Sequence, residues 1–129
     1  MIEKMEKPQA DIREINKRYN EWAKSRFPNS TPVSSLKGLE REAKEAYEEI
    51  EHFNELLSSG KLDDNDGGFD VCHEAIQMEY ADCLMYIIDS ARRFGLTLDD
   101  LFFALDRKLQ INLKRDWKQN DDKSYSHIK

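Results

Sequence analysis

Apolar residues recur at three- and four-residue intervals along most of this 129-residue chain, the spacing of helical faces. Ile12, Ile15, Tyr19 and Trp22 trace the first stripe, predicting a helix from about Ala10 to Phe27 that Pro28-Asn29-Ser30 breaks. Thr31 then offers a hydroxyl cap, with Pro32 at the first helical position. From there Leu36, Leu39, Ala43, Ala46, Ile50, Phe53 and Leu57 fall on one stripe, predicting a second helix to about Ser58. An Asp/Asn/Gly-rich loop, Lys61 to Gly68, separates it from a third helix over roughly Val71 to Phe94, which Gly95 terminates. Thr97-Leu98-Asp99-Asp100 resembles a capping box and opens a fourth helix, expected to end near Lys118. Residues 119–129 read as a flexible, solvated tail. Four helices with short connections and no internal repeat predict an all-α, antiparallel four-helix bundle, as one domain over 1–129 with its core at about 10–118.

Composition narrows the function. Apolar residues at 39% and charged residues at 36% fit a soluble helical protein. No apolar run is long enough to span a bilayer, and the start MIEKMEKPQADIRE lacks a signal peptide's apolar segment, so no membrane partner is expected. Cys72 and Cys83 are too few for a disulfide framework and read as buried free thiols in a reducing cytoplasm. A formal net charge of −6 argues against a grip on a nucleic acid polymer. An acidic protein that handles an anionic substrate needs a cation between the two.

The third helix points to where that cation sits. Its stretch from Tyr80 to Ile88 is apolar nearly all round, predicting burial on several sides, yet Asp82 lies in its middle. A buried carboxylate must be paired, hydrogen-bonded or metal-bound. Glu79, Asp82, Tyr86 and Asp89 share one face within a sector of about 80°. On this helix alone two readings stay open: a metal or catalytic site, and a structural pair with an Arg or Lys from a neighbouring helix. On the second helix Glu42, Glu45 and Glu49 flank the apolar stripe, whereas Glu48 falls on the opposite side. If the two stripes pack together, Glu42/Glu45 and Glu79/Asp82 converge as four hard oxygen donors suited to Mg²⁺ or Mn²⁺. On the fourth helix Lys108, Asn112 and Arg115 follow i, i+4, i+7 beside the Leu101, Leu105, Leu109, Leu113 stripe, a line able to hold phosphate oxygens.

These residues resemble the MazG-like superfamily of all-α nucleoside triphosphate pyrophosphohydrolases. Its ExxE pair is matched by Glu42-Ala43-Lys44-Glu45, its ExxD pair by Glu79-Tyr80-Ala81-Asp82, and its KxxxNxxR pattern by Lys108, Asn112 and Arg115. The segments Leu39 to Ala43, Tyr80 to Leu84, Asp89 to Gly95 and Lys108 to Trp117 are similar to the dATP/dGTP pyrophosphohydrolase branch, common in phages and bacteria. The linker Ala46 to Met78 is longer than usual, which leaves a shifted register with Glu45 and Glu48 as the alternative first pair; the facial argument favours Glu42/Glu45. The resemblance implies Mg²⁺-dependent hydrolysis of a dNTP to dNMP and pyrophosphate in a bacterial or phage-infected cytoplasm. Glu42, Glu45, Glu79 and Asp82 would hold the metal, and Glu45 or Glu49 would orient the attacking water; the face shared on the third helix, rather than the resemblance, adds Asp89 as a further accessory acid. Lys108, Asn112 and Arg115 would bind the phosphates, while Trp22 and Thr31-Pro32 would help form the nucleoside pocket of a homodimer or homotetramer.

Two other classes compete. A di-iron carboxylate bundle needs two inward Glu-x-x-His pairs, and Glu49-Ile50-Glu51-His52 is the one match. A non-enzymatic helical interaction protein explains the amphipathic helices, but not why three of them carry polar residues at the edges of their stripes.

Overall fold

Local signals set the helix ends in the computed structural model, which describes residues 10–62 and 67–129. Helix α1 (Ile12–Arg26) starts where the Asp11 side chain accepts the Arg13 amide at 2.9 Å. Helix α2 (Pro32–Ser58) starts on a reciprocal cap: Thr31 Oγ1 accepts from the Ser34 amide at 3.0 Å, and Ser34 Oγ accepts from the Thr31 amide at 2.8 Å. Helix α3 (Gly68–Arg93) begins three residues before Val71. Gly95, at φ +103°, ends that run in a left-handed conformation suited to glycine. Helix α4 (Leu98–Asn112) opens on the capping box expected at Thr97 and Asp100. Positions 63–66 of the expected loop and the first nine residues lie outside the described residues.

The chain divides into two compact units, one ending at Gly95 and one spanning Leu96–Lys129. In the first, α2 packs against α3. Contacts pair Ser35 with Asp89, Gly38 with Tyr86, and Phe53 with Phe69, so numbering rises along α2 as it falls along α3. The two helices are therefore antiparallel. Helix α1 is tied to α3 by the Tyr19 hydroxyl donating to the Met85 carbonyl at 3.0 Å and by Arg93 donating to the Ala23 carbonyl. The apolar core is thin, with Ala23, Ala46 and Phe53 buried. Leu36, Leu57, Tyr80 and Leu84 are exposed, so α3 is not surrounded as its composition led us to expect.

The second unit corrects the expected C-terminal tail. Helix α4 ends at Asn112, not near Lys118, and residues 117–127 form a β-hairpin, β1 (Trp117–Gln119) antiparallel to β2 (Tyr125–His127). Trp117 stands opposite His127, their rings edge-on at 6.0 Å, and the indole N–H donates to the Asn112 carbonyl at 3.1 Å. Asp122 Oδ1 accepts from the Ser124 amide at 3.0 Å, and Lys123 takes φ +73° to close the turn. Three-residue strands of mostly polar side chains have no periodicity to read, which is why the sequence suggested a tail.

Candidate metal centre and adjoining pocket

The i, i+3 spacing of Glu42 and Glu45 on α2 brings both to the seam with α3, where Glu79 faces them. One carboxylate oxygen from each of the three lies within 4.8 Å of the others. Glu79 Oε2 is buried with no hydrogen-bond partner among the described residues. A buried, orphaned carboxylate oxygen beside two other carboxylates is costly unless a cation meets it. The donor set is all hard oxygen, so it fits Mg²⁺ or Mn²⁺ and is poorly suited to soft-metal binding. Partial burial, then repulsion from Glu45 and Asp82, a hydrogen bond with Glu45 and repulsion from Glu79, push the Glu42 carboxyl above its usual range. The nearby Cys83 thiol is also pushed up, by burial and by Glu42, Glu79 and Asp82. Cys72 and Cys83 are free and half-buried.

Asp82 lies outside that tight set. It is exposed in the chain, and it lines a neighbouring pocket beside Glu42. The pairing expected for an acid on this helix is realised at Asp89 instead. Asp89 is buried, accepts from Ser35 Oγ at 2.6 Å and Arg93 Nε at 2.8 Å, and is paired with Arg92. Burial alone would raise its pKa; the Ser35 and Arg93 hydrogen bonds and the two guanidinium charges prevail and hold it below the usual Asp value. Asp89 is thus a structural anchor rather than a further acid at the metal. Arg93 also donates to the Ser30 carbonyl at 3.0 Å, and Ser90 Oγ to the Pro32 carbonyl at 2.7 Å. This network fixes the end of α1, the α1–α2 turn and the start of α2 onto α3.

The pocket has a volume of about 370 Å³, within the range of small-ligand sites. Arg41, Glu42 and Asp82 give its lining charged groups of both signs, and Tyr19, Trp22 and Phe27 supply aromatic surface. Trp22 meets Phe27 edge-on at 5.2 Å and Tyr19 at 6.2 Å, and it remains 53% exposed, so it is a pocket wall rather than a core residue. Burial and the Asp89 charge push the Tyr19 hydroxyl up to about 12, which keeps it a neutral donor. Sequence reasoning picked out Trp22 but not Tyr19, Phe27, Arg41 or Ser35 as pocket residues. Tyr19 is one turn from Trp22 on the α1 stripe, a spacing that carried the signal.

Other candidates fall elsewhere. Glu49 is half-buried one turn beyond Glu45 and outside the three-carboxylate set. Glu48 pairs with Lys44 at 3.7 Å on an exposed face, which disfavours the shifted register. His52 is exposed, and His73 stacks on Phe69 at 4.3 Å, so neither supplies the inward histidine of a di-iron site. Lys108 and Asn112 lie on α4 within the second unit. Arg115 lies past the end of that helix, in the turn before β1, with its Nη1 donating to Asn112 Oδ1 at 3.5 Å. The three are therefore not a single helical line.

Among the described residues no helix is long and apolar enough to cross a membrane. No curated protein matches the sequence significantly. Residues 72–129 match the dATP/dGTP pyrophosphohydrolase family. A solved structure of the cyanophage S-2L MazG-like pyrophosphohydrolase, bound to dGDP and three catalytic Mn²⁺ ions per active site, is similar at 23% identity over 93% of this chain and 99% of its own. Its TM-score of 0.57 establishes a common fold. Residues 72–129 are thus similar to the dATP/dGTP pyrophosphohydrolase family, and the chain shares the fold of a MazG-like pyrophosphohydrolase.

Proposed function

We propose that this protein uses Mg²⁺ or Mn²⁺ to hydrolyse a deoxynucleoside triphosphate, dATP or dGTP, to the monophosphate and pyrophosphate. The observation that carries this reading is the orphaned Glu79 oxygen among the carboxylates of Glu42 and Glu45, at the edge of an aromatic-walled pocket. Glu42, Glu45 and Glu79 would hold the cation, with Asp82 completing the set from the pocket side. When bound, such an ion neutralises triphosphate charge and lowers the pKa of water in contact with it. Glu45 is the exposed member of the cluster and Glu49 stands one turn further on. This pair orients the attacking water, and whichever carboxylate is not engaged with the cation takes its proton. Oxygen attacks the α-phosphorus, the α–β anhydride bond breaks, and pyrophosphate leaves. Lys108 and Arg115 bind the phosphate oxygens, and Asn112 holds Arg115 in place. Trp22 packs against the base. The exposed apolar side chains Leu36, Leu57 and Leu84 support assembly as a homodimer or homotetramer.

The test is a screen of dNTPs and NTPs with each metal, scoring monophosphate and pyrophosphate. Release of orthophosphate in their place would overturn the reading. Glu79→Gln is expected to lower turnover roughly a hundredfold or more.

A further inference from the structure

Among the described residues, Arg41 is the one positively charged side chain on the pocket lining, where the acids are Glu42, Asp82 and Asp89. Asp89 is already matched by Arg92 and Arg93. Arg41 forms no ion pair among the described residues, although Glu45 lies at i+4. The neighbouring Lys44 and Glu48, with the same spacing and order, do close a pair at 3.7 Å. Glu45 instead contributes an oxygen to the three-carboxylate set. The Arg41 guanidinium is therefore left to the pocket.

An exposed arginine without a partner is ordinarily a solvated surface charge; the place of this one argues for more. Ser34 and Arg41 are seven residues apart on α2, as are Ser35 and Glu42, so the helix presents two adjacent rows to the pocket. The Ser35–Glu42 row meets α3, and the Ser34–Arg41 row flanks it. Along the pocket, Tyr19 is bonded at Met85, and Trp22 and Phe27 continue from it toward the α1–α2 turn. In the other direction Asp82 and Glu42 lie about one turn from Met85, and Glu79 and Glu45 a further turn on. Arg41, next to Glu42, stands where the aromatic wall gives way to the carboxylates.

A nucleotide with its base on that wall and its outer phosphates at the carboxylates has its α-phosphate at this junction. We infer that Arg41 grips a nonbridging oxygen of the α-phosphate, a role that rests on the activity proposed above. The planar guanidinium offers two N–H groups in a fork that matches phosphate oxygens. It offsets the repulsion that Glu42 and Asp82 exert on an arriving phosphate. Charge also builds on the nonbridging oxygens as water attacks phosphorus and the α–β bond breaks, so the same contact serves the transition state. After cleavage the α-phosphate stays with the monophosphate. That product keeps the Arg41 contact, and pyrophosphate lacks it.

This asymmetry supplies the test. Binding of dAMP, dGMP and pyrophosphate is measured by titration calorimetry with Mg²⁺ present, for wild type, Arg41→Ala and Arg41→Lys, beside steady-state kinetics on dATP and dGTP. Arg41→Ala should weaken the monophosphates roughly ten- to a hundredfold and lower kcat/KM by a similar factor. Pyrophosphate affinity should change by less than about twofold. Arg41→Lys keeps the charge but loses the fork, and should recover only part of the loss. Arg41 is exposed, so Tm of both variants should stay within about 2 °C of wild type, which keeps misfolding from imitating the effect. Unchanged monophosphate binding, an equal loss for monophosphate and pyrophosphate, or full recovery by lysine overturns the inference and leaves the hydrolase reading intact. Failure of wild type to hydrolyse any triphosphate overturns both.

Discussion

Asp89→Asn is the sharpest probe of how this pocket is held. The substitution preserves volume but removes the charge that two guanidinium groups share. The Arg92 and Arg93 side chains are 15% and 12% exposed, and Asp89 is 8% exposed at the side chain, so the cluster is largely out of water. Breaking a buried ion pair from one side typically costs about 3–5 kcal/mol. Part of that is offset here. Arg93 keeps the carbonyls of Ser30 and Ala23, Arg92 keeps the Tyr19 ring at 5.6 Å, and the amide oxygen still accepts one hydrogen bond. Against this, the new amide N–H₂ faces donors, and Arg92 Nη1 already has no partner among the described residues. A loss of about 2–4 kcal/mol follows, or roughly 8–16 °C in Tm for a chain of this size.

Thermal and urea unfolding followed by circular dichroism at pH 7 measure it. A variant within about 0.5 kcal/mol of wild type would refute the reasoning, because surface changes fall in that range. Acid supplies a second check. Asp89 has a lowered pKa in the folded state, so the unfolded chain binds its proton first as pH falls. Its stabilisation is complete above the ordinary Asp value of about 3.9 and is lost as pH drops below that value through the folded pKa. The gap between wild type and Asp89→Asn should therefore narrow on acidification below about pH 4. A gap that widens there contradicts the assignment.

Three further substitutions test the proposed substrate contacts. Trp22→Ala removes an exposed aromatic wall and should raise KM about tenfold with a smaller effect on kcat, since stacking contributes to binding the base rather than to bond cleavage; steady-state kinetics on the preferred dNTP read the split. Lys108→Ala and Arg115→Ala should each lower kcat/KM roughly ten- to a hundredfold if they hold phosphate oxygens, with thermal stability little changed for the exposed Lys108. Wild-type kinetics in both would remove α4 and its following turn from the site.

Helix starts were legible because capping is local. Thr31 with Ser34 and Thr97 with Asp100 satisfy their own first-turn amides within four residues. Glu42 and Glu45 were legible for a similar reason: residues three apart share a helix face whatever the helix packs against. The hairpin after Asp116 was not legible, since its cross-strand pairs join residues six to ten apart through polar side chains.

The two aspartates of α3 separate what the sequence determined from what tertiary structure decided. That an acid on this helix needs partners follows from its apolar neighbours and the cost of burying charge. Which acid takes them depends on depth and on what lies opposite. Seven residues, close to two turns, separate Asp82 from Asp89 on nearly the same face. Only the antiparallel register sets Ser35 and the turn before α2 against Asp89, while leaving Asp82 exposed beside Glu42. The same register lays the Tyr86 ring on Gly38 and turns Glu79 toward the α2 glutamates. A helical period can place residues on a face; burial and the opposing side chain arise only when two faces meet.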